Sequence, residues 1–440
     1  MSLATSFCES PACCGHCFGL CGKCGPIAGL CWPCCGALSD LGEAWKLCKP
    51  CCEDSQWSTT GWIDQSFVWN PYSPGDRFNG PVTWTDRAND YQMQELWYGF
   101  GRVTKTNGCG WDWGMRADAF YGTNYRWDTS AGFETNWGTN GTFYGIAVPN
   151  LYGEVAYNNW TVRAGRFVSP VGYYTVGSPN NFFPVIPYTY QYGEPFTHTG
   201  VWALYKFSDQ FTLGAAVTHG WDDTDNTGNP HGGGLITATW TIDEQRSLAY
   251  VGVLGDEPNQ TGIHPKTSGG IAQGTGFTGR YFQTLVYTRK FSDDVMGVLQ
   301  SDFGTQHDAV FDPNSGNART AKWYGLNAYL YWNMTCRWQW GANAEWFRDQ
   351  GGFRVGQVVP SFGSPNARGF ARSNFDGSFY RLTFGPRYYF TPNQYTRVAF
   401  LYDFYDGKRS FNPATAGQLP FDNGKLNNQQ CLVFDYVITF

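Results

Sequence analysis

Residues 428–440, at the carboxyl end of the chain, are NQQCLVFDYVITF. Every second side chain from residue 432 onward is large and apolar, namely Leu432, Phe434, Tyr436, Ile438 and Phe440. This period of two predicts a β-strand with one fully apolar face. A soluble sheet that ended on such a strand would expose an aggregation-prone edge, whereas a closed membrane barrel has no free edge and turns one face to lipid. The stretch therefore predicts the last strand of an outer-membrane β-barrel.

The composition of the chain agrees with that interpretation. Of 440 residues, 18% are aromatic and only 15% are charged, with a net charge of −6. No basic patch indicates a nucleic-acid partner, and no apolar run reaches the ~18 residues that a transmembrane helix requires. The residues after Met1 show no basic segment followed by an apolar one. We therefore expect that a secretory signal was removed, the alternative being that the chain is not exported.

From Gln56 onward the pattern predicts sixteen strands. Tight turns such as Asn158-Asn159 and Ser208-Asp209 alternate with connections of about 12 to 30 residues, which is typical of a barrel with a turn rim and a loop rim rather than of a sandwich or propeller. The predicted fold is all-β, a 16-stranded antiparallel transmembrane β-barrel with short periplasmic turns and long extracellular loops, preceded by a small disulfide-rich segment. The predicted strands are 57–69, 92–104, 109–121, 142–157, 160–168, 198–207, 210–220, 233–242, 246–254, 278–290, 294–304, 320–333, 336–347, 378–390, 394–405 and 429–440.

Charged side chains alternate with apolar ones along these strands. In 338–346, for example, Trp338, Trp340 and Trp346 share a face opposite Glu345. An Arg or Lys facing lipid near the midplane costs about 2 to 4 kcal/mol, so the charged faces should point inward. Sixteen strands leave an aqueous bore, and we expect a pore of mixed charge. The predicted pore-lining residues are Asp112, Arg116, Asp118, Arg163, Arg337, Glu345, Arg381, Arg387, Arg397 and Asp403.

The connection from Val168 to Thr197 is unusual in being rich in aromatic residues and proline and almost free of charge. Proline limits the freedom that ordering would cost, and a long connection without regular structure is usually functional. We expect this loop to fold inward as a constriction, the alternative being a contact with a neighbouring subunit. The predicted constriction residues are Tyr173, Tyr174, Phe182, Phe183, Tyr188, Tyr190 and Tyr192.

Three segments around this loop carry a family resemblance. They are 165–173 (GRFVSPVGY), 195–200 (PFTHTG) and 219–226 (HGWDDTDN). In order and spacing they resemble the OmpL-like β-barrel porin-2 family over Gln56 to Phe440. The resemblance implies an outer-membrane general porin and no enzyme, with no catalytic residues to transfer. It does not cover the cysteine-rich residues that precede the barrel.

Twelve of the 15 cysteines lie before residue 53, which places a boundary between a segment 1–55 and a barrel 56–440. Four CxxC pairs could bind metal, but their irregular spacing and an oxidising periplasm favour disulfides that replace a core. We expect these disulfides within the periplasmic segment or between subunits, the further alternatives being partial order or lipid attachment. A short helix is predicted over Asp40 to Leu47. The disulfide candidates are Cys8, Cys13, Cys14, Cys17, Cys21, Cys24, Cys31, Cys34, Cys35, Cys48, Cys51 and Cys52.

These features together predict a porin for passive diffusion of ions and small hydrophilic solutes. We expect it in the bacterial outer membrane as a homotrimer, with lipid as its surroundings, its first segment in the periplasm, no cofactor, no nucleic-acid partner and no enzymatic activity. Two alternatives remain open at this point. One is a structural envelope protein cross-linked by disulfides, and the other is a channel specific for one substrate.

Overall fold

The computed structural model describes residues 41–47, 55–134, 137, 142–225, 231–258, 277–311, 318–355, 373–411 and 420–440. These residues form sixteen strands and two short α-helices, α1 (Tyr125–Asp128) and α2 (Pro420–Gly424). No helix in these ranges is long and apolar enough to cross a membrane. The strands are β1 (Trp57–Trp69), β2 (Asp90–Arg102), β3 (Trp111–Gly122), β4 (Gly145–Tyr157), β5 (Trp160–Val168), β6 (Thr197–Lys206), β7 (Phe211–Thr218), β8 (Gly233–Thr241), β9 (Arg246–Pro258), β10 (Phe277–Lys290), β11 (Val295–Phe311), β12 (Ala318–Asn333), β13 (Trp338–Gln350), β14 (Ser373–Thr391), β15 (Gln394–Phe411) and β16 (Asn428–Thr439).

Each strand pairs with its sequence neighbours, and β1 pairs with β16 to close the barrel. All of these pairs are antiparallel; at the closing seam Trp62 faces Thr439 and Trp69 faces Leu432. The amide of Gly61 donates to the Phe440 carbonyl at 2.9 Å, and the Phe440 amide donates to the Gly61 carbonyl at 2.8 Å. The terminal strand thus has a partner on both sides. The predicted sixteen-stranded antiparallel barrel is confirmed.

The two rims of the barrel differ in the length of their connections. Short turns join β4 to β5, β6 to β7 and the later pairs at one rim, here called the turn end. Longer connections emerge at the opposite rim, here called the loop end, and the first three are L1 (residues 70–89), L2 (residues 123–144) and L3 (residues 169–196). Both termini of the barrel lie at the turn end.

The two faces of each strand meet different surroundings. On β13 the side chains of Trp338 and Trp340 are exposed on the outer wall, whereas Gln339 and Asn343 are buried on the inner side. Because side chains alternate along a strand, one sequence satisfies lipid on one face and a polar interior on the other. Exposed aromatic rings of the outer face lie mostly near strand ends, where such rings favour the membrane interface.

The largest departures from the predicted strand boundaries lie at the loop end. β11 extends to Phe311 and β15 extends to Phe411, while β14 begins as early as Ser373. Each of these limits lies several residues beyond the predicted one. The added residues, such as Gln306, are polar in part, so the hydrophobic pattern stops although the backbone ladder continues. A backbone ladder needs no apolar face, and these hairpins therefore extend beyond the predicted membrane band.

The interior of the barrel contains side chains of the loops as well as side chains of the wall. Two clusters of buried apolar side chains fill part of it, and both combine wall residues with residues of L1 and L3. Trp84 of L1, for example, is 1% exposed, and Phe196 of L3 is fully buried. Loops that enter from the loop end therefore provide a core inside the barrel.

Candidate functional site

L3 crosses the interior of the barrel and packs on the wall opposite its own origin. It leaves β5, yet its Tyr173 amide donates to Gln300 Oε1 on β11 at 3.0 Å, and the Gly193 carbonyl accepts from Trp323 Nε1 on β12 at 3.1 Å. These contacts join residues more than a hundred positions apart in the sequence. The described part of L3 contains only two single turns of helix, at Ser178–Asn180 and Thr189–Gly193, so most of its backbone groups need partners outside the loop.

Three arginines of the wall supply donors to the carbonyl groups of L3. Arg381 Nη1 donates to the Ile186 carbonyl at 2.7 Å. Arg387 Nη2 donates to the Asn181 carbonyl at 2.7 Å, and Arg397 Nη1 donates to the Ser178 carbonyl at 2.9 Å. A guanidinium carries five donors in a fixed plane, which allows one side chain to hold a loop and a carboxylate at once.

Two of these arginines also pair with buried carboxylates of other strands of the wall. Arg381 Nε lies 2.6 Å from Asp403, and Arg397 lies 2.7 Å from Asp435 and 3.1 Å from Asp64. Such pairs are strongly destabilising to break, by about 3 to 5 kcal/mol, because the remaining charge is left buried. The wall thus presents preformed donor groups to the loop.

Two wall carboxylates accept hydrogen bonds from amides of L3. Glu345 accepts from the Tyr188 amide at 2.9 Å and from the Thr189 amide at 2.7 Å. Glu95 on β2 accepts from the Ser178 amide at 3.1 Å. Arginines of β14 and β15 therefore bind the carbonyl groups of L3, and carboxylates of β2 and β13 bind its amide groups.

The aromatic residues predicted for the constriction divide into two groups within the described part of L3. Tyr174, Phe183, Tyr188, Tyr190 and Tyr192 are buried, whereas Tyr173 and Phe182 are half-buried. The ring of Tyr173 lies 5.2 Å from that of Tyr329 on β12, and Phe182 lies 4.9 Å from Tyr331. Aromatic rings at such separations attract one another beyond their apolar burial.

L1 supports L3 from the loop end, a role that no sequence pattern indicated. Thr83 Oγ1 donates to Gln191 Oε1 at 2.8 Å, and the Tyr192 hydroxyl donates to the Pro81 carbonyl at 2.6 Å. Both contacts are buried. L1 is polar enough to suggest an external loop, and only its long-range contacts reveal that it turns inward.

A buried carboxyl near the end of L3 contacts a second one on the wall. Gln300 Nε2 donates to Glu194 Oε1 at 2.6 Å and to Asp302 Oδ2 at 2.9 Å, so the two carboxyl groups share one amide. Burial and then the neighbouring Asp302 raise the pKa of Glu194 well above its usual range. A protonated Glu194 avoids placing two negative charges side by side in the core.

The wall formed by β3, β4 and β5 carries ion pairs that are partly exposed to water. Arg116 lies 2.6 Å from Asp118, and Arg163 lies 2.8 Å from Glu154. The Arg163 guanidinium lies over the ring of Tyr152 at 4.0 Å. This group, here called the β3–β5 charge cluster, is on the inner face, and its arginines keep 20% to 24% of their side-chain surface exposed.

The ten residues predicted to line the pore therefore occupy three places. Arg116, Asp118 and Arg163 belong to the β3–β5 charge cluster, while Asp112 and Arg337 lie near the turn end, where they bond Arg102 and the Phe390 carbonyl. The other five point inward but are buried on the strands that contact L3, so they hold the interior together and do not face water. Those five are Glu345, Arg381, Arg387, Arg397 and Asp403.

Glu154 belongs to the β3–β5 charge cluster but is not among the predicted pore-lining residues. The turn at Asn158-Asn159 pairs Tyr157 with Trp160, and this register places Glu154 opposite Arg163. The register of a two-residue hairpin follows from its turn, so the pairing could have been derived from the sequence.

Comparison with protein families identifies the fold more closely. Residues 57–440 match the model of the family described as "Putative beta-barrel porin-2, OmpL-like". The chain belongs to this family. It is accordingly an outer-membrane porin, a channel for passive diffusion, and its short turns face the periplasm while its long loops face outward.

Solved structures resemble the porin in fold. The trimer form of OmpT from Vibrio cholerae matches with a TM-score of 0.51 at 9% identity, covering 87% of this chain and 99% of that one. An anion-selective porin from Comamonas acidovorans matches with a TM-score of 0.51 at 11% identity, covering 88% and 100%. OprB of Pseudomonas putida matches with a TM-score of 0.53 at 10% identity, covering 87% and 94%. A search of curated proteins finds no match in sequence.

The segment 41–47 of the porin packs against the turn end of the barrel. The Trp45 amide donates to Asn393 Oδ1 at 2.8 Å, Asn393 Nδ2 donates to the Trp45 carbonyl at 2.9 Å, and the Trp45 ring stacks on Phe440 at 6.3 Å. The predicted helix over Asp40 to Leu47 is not formed within 41–47, because both backbone groups of Trp45 bond the Asn393 side chain instead. The twelve disulfide candidates, Cys8 to Cys52, lie outside the described residues.

Proposed function

We propose that L3 sets the size limit of this porin and that the channel passes ions and small hydrophilic solutes without a dedicated substrate. The observation that carries the proposal is the asymmetry of the inner wall. L3 is bonded to β2, β11, β13, β14 and β15, whereas the β3–β5 charge cluster on the other side keeps a partly exposed surface. A water path bounded by L3 and this cluster would be narrower than the barrel itself.

The residues that meet such a path do not form a site for chemistry. Tyr173 and Phe182 are the rings of L3 named above that keep exposed surface, and the charged groups of the cluster are engaged in ion pairs. We therefore assign the chain no catalytic activity. Its partners in this proposal are outer-membrane lipid around the outer wall and hydrophilic solutes inside.

The same proposal includes a trimer of identical subunits in the outer membrane. Its support is the fold shared with OmpT of Vibrio cholerae, whose structure was determined in a trimer form. Native mass spectrometry of the full chain in detergent tests this part, with three copies as the expected mass. A uniform single-copy species that still conducts would contradict the trimer and leave the channel intact.

A swelling assay tests the role of L3. Full-length porin is placed in liposomes, and swelling is followed in sugars of increasing size. The double variant Tyr173→Ala with Phe182→Ala removes the ring contacts that hold L3 against Tyr329 and Tyr331 of β12, so we expect a less constrained loop that admits larger sugars than wild type. Tyr380→Ala, which removes an exposed ring of the outer wall, is the matched control and should keep the wild-type limit. Equal limits in all three proteins would exclude L3 as the size-limiting element.

A further inference from the structure

The two ion pairs of the β3–β5 charge cluster expose their positive and negative ends unequally. The Arg116 side chain is 24% exposed, but its partner Asp118 is only 2% exposed. Arg163 is 20% exposed, whereas Glu154 is 11% exposed. In both pairs the guanidinium is the group that water reaches more easily.

Each of the two carboxylates accepts hydrogen bonds from several donors of the wall, which limit its exposure to water. Asp118 accepts from Arg116 Nε at 2.8 Å and also from Asn150 Nδ2 at 2.8 Å. Its Oδ1 lies 3.4 Å from the indole nitrogen of Trp97. Asn150 and Trp97 lie on the two neighbouring strands, β4 and β2, so the carboxylate is fixed against the wall behind the guanidinium. An ion in the water path would meet Arg116 before it met Asp118.

Glu154 is held in a similar way. It accepts from Arg163 Nη2 at 2.8 Å and Nε at 3.1 Å, and its other oxygen accepts from Thr104 Oγ1 at 2.9 Å. The Arg163 guanidinium also lies 4.0 Å from the centre of the Tyr152 ring, which holds it beside the wall. A planar, delocalised guanidinium on an aromatic face retains its charge and its remaining donors.

The surroundings supply little negative charge to offset these two arginines. Between residues 168 and 197 the sequence contains one acidic residue and no basic one, and that residue, Glu194, is fully buried. Glu345 and Asp403, two inward carboxylates of the strands that contact L3, are buried as well, and Asp112 lies away from the cluster near the turn end, paired with Arg102. Within the described residues, the charge that faces water at the level of the cluster is thus mainly positive.

We propose that Arg116 and Arg163 make this channel favour small anions, such as chloride and inorganic phosphate, over cations of equal size. This inference rests on the proposed function, since it requires a conducting path along the β3–β5 charge cluster. The channel is selective because a positively charged surface between walls of low dielectric constant raises the local concentration of anions. The paired carboxylates weaken the preference without reversing it.

The reversal potential of the full-length porin in a planar bilayer under a potassium chloride gradient tests the proposal. We expect a chloride-to-potassium permeability ratio above one for wild type. Arg116→Gln and Arg163→Gln should each lower the ratio by about sevenfold, because a unit charge about 7 Å away in water raises the local chloride concentration about threefold and lowers that of potassium about threefold. Arg116→Lys and Arg163→Lys keep the charge and should keep a ratio above one.

Two further variants complete the design. Glu154→Gln removes the negative partner of Arg163 and should raise the ratio. Arg348→Gln removes an arginine that pairs with Asp376 on the outer face and is 26% exposed, so its loss should leave the ratio unchanged. Because Glu154→Gln and the arginine variants are expected to move the ratio in opposite directions, a general loss of folding cannot imitate the result.

Each outcome has a distinct meaning. Wild-type channels that conduct but favour potassium, or arginine variants that leave the ratio unchanged, would overturn the assignment of anion preference. Absence of any conductance from correctly folded wild type would instead overturn the proposed channel path along L3. A shift of the ratio with Arg348→Gln as large as with Arg116→Gln would show that net charge, not the cluster, controls selectivity.

Discussion

Replacement of Glu345 should release L3 from the barrel wall. This carboxylate accepts from the Tyr188 amide at 2.9 Å, the Thr189 amide at 2.7 Å and the Thr189 hydroxyl at 3.0 Å. Glu345→Ala leaves both amides buried without this acceptor, and each such loss costs about 1 to 3 kcal/mol. The expected weakening of L3 is therefore about 2 to 6 kcal/mol, since the hydroxyl can find another partner.

The lower end of that range already has a visible consequence. A loss of about 2 kcal/mol raises the fraction of time that L3 is detached by roughly 30-fold, because about 1.4 kcal/mol corresponds to tenfold in an equilibrium constant. A detached loop widens and destabilises the path, so single-channel recordings of Glu345→Ala should show a larger or strongly fluctuating conductance.

The conservative variant provides the control. Glu345→Gln keeps one acceptor oxygen and the shape of the side chain, so its recordings should lie between wild type and Glu345→Ala. The current noise should change strongly in Glu345→Ala. The denaturant concentration at the unfolding midpoint of the barrel should change little, because the strand ladder is intact. Steady current of wild-type amplitude in Glu345→Ala would refute the idea that these hydrogen bonds hold the loop.

Three other perturbations have defined outcomes. Folding raises the pKa of Glu194, so this group is neutral in the folded porin where the unfolded chain is already charged, and the attachment of L3 should weaken as pH rises from the usual carboxyl range through the raised value. Current noise recorded over a pH series should therefore grow with pH in wild type and grow less in Glu194→Gln. A Cβ added at Gly304 would overlap the Trp323 ring, so Gly304→Ala should lower the free energy of unfolding by about 1 to 3 kcal/mol in a denaturant titration, with Gly153→Ala, where the added atom meets open space, as the neutral comparison. Asn393→Ala removes both hydrogen bonds to the Trp45 backbone, so protease cleavage near residues 41–47 should accelerate while the barrel stays resistant; unchanged cleavage would mean that the contact does not hold the segment.

The sequence determines the wall of this porin almost completely. Period-two alternation assigns each residue to the inner or outer face, and the strict alternation of short turns with long loops sets the strand number and the antiparallel order. Strands β1 and β5 begin and end where the pattern predicts, at Trp57–Trp69 and Trp160–Val168. These features are local, since alternation is a property of each strand by itself and the strands that meet at the turn end are linked by only a few residues.

Only the tertiary structure decides what covers the inner face. Alternation shows that Arg387 and Arg116 both point inward, but Arg387 is buried against a loop segment 206 residues away, whereas Arg116 keeps a face toward water. No periodic pattern encodes that difference, because it depends on where L3 and L1 travel after leaving the wall. Their paths are set by many separate hydrogen bonds and ring contacts between residues far apart in sequence, and each becomes favourable only once the barrel has closed.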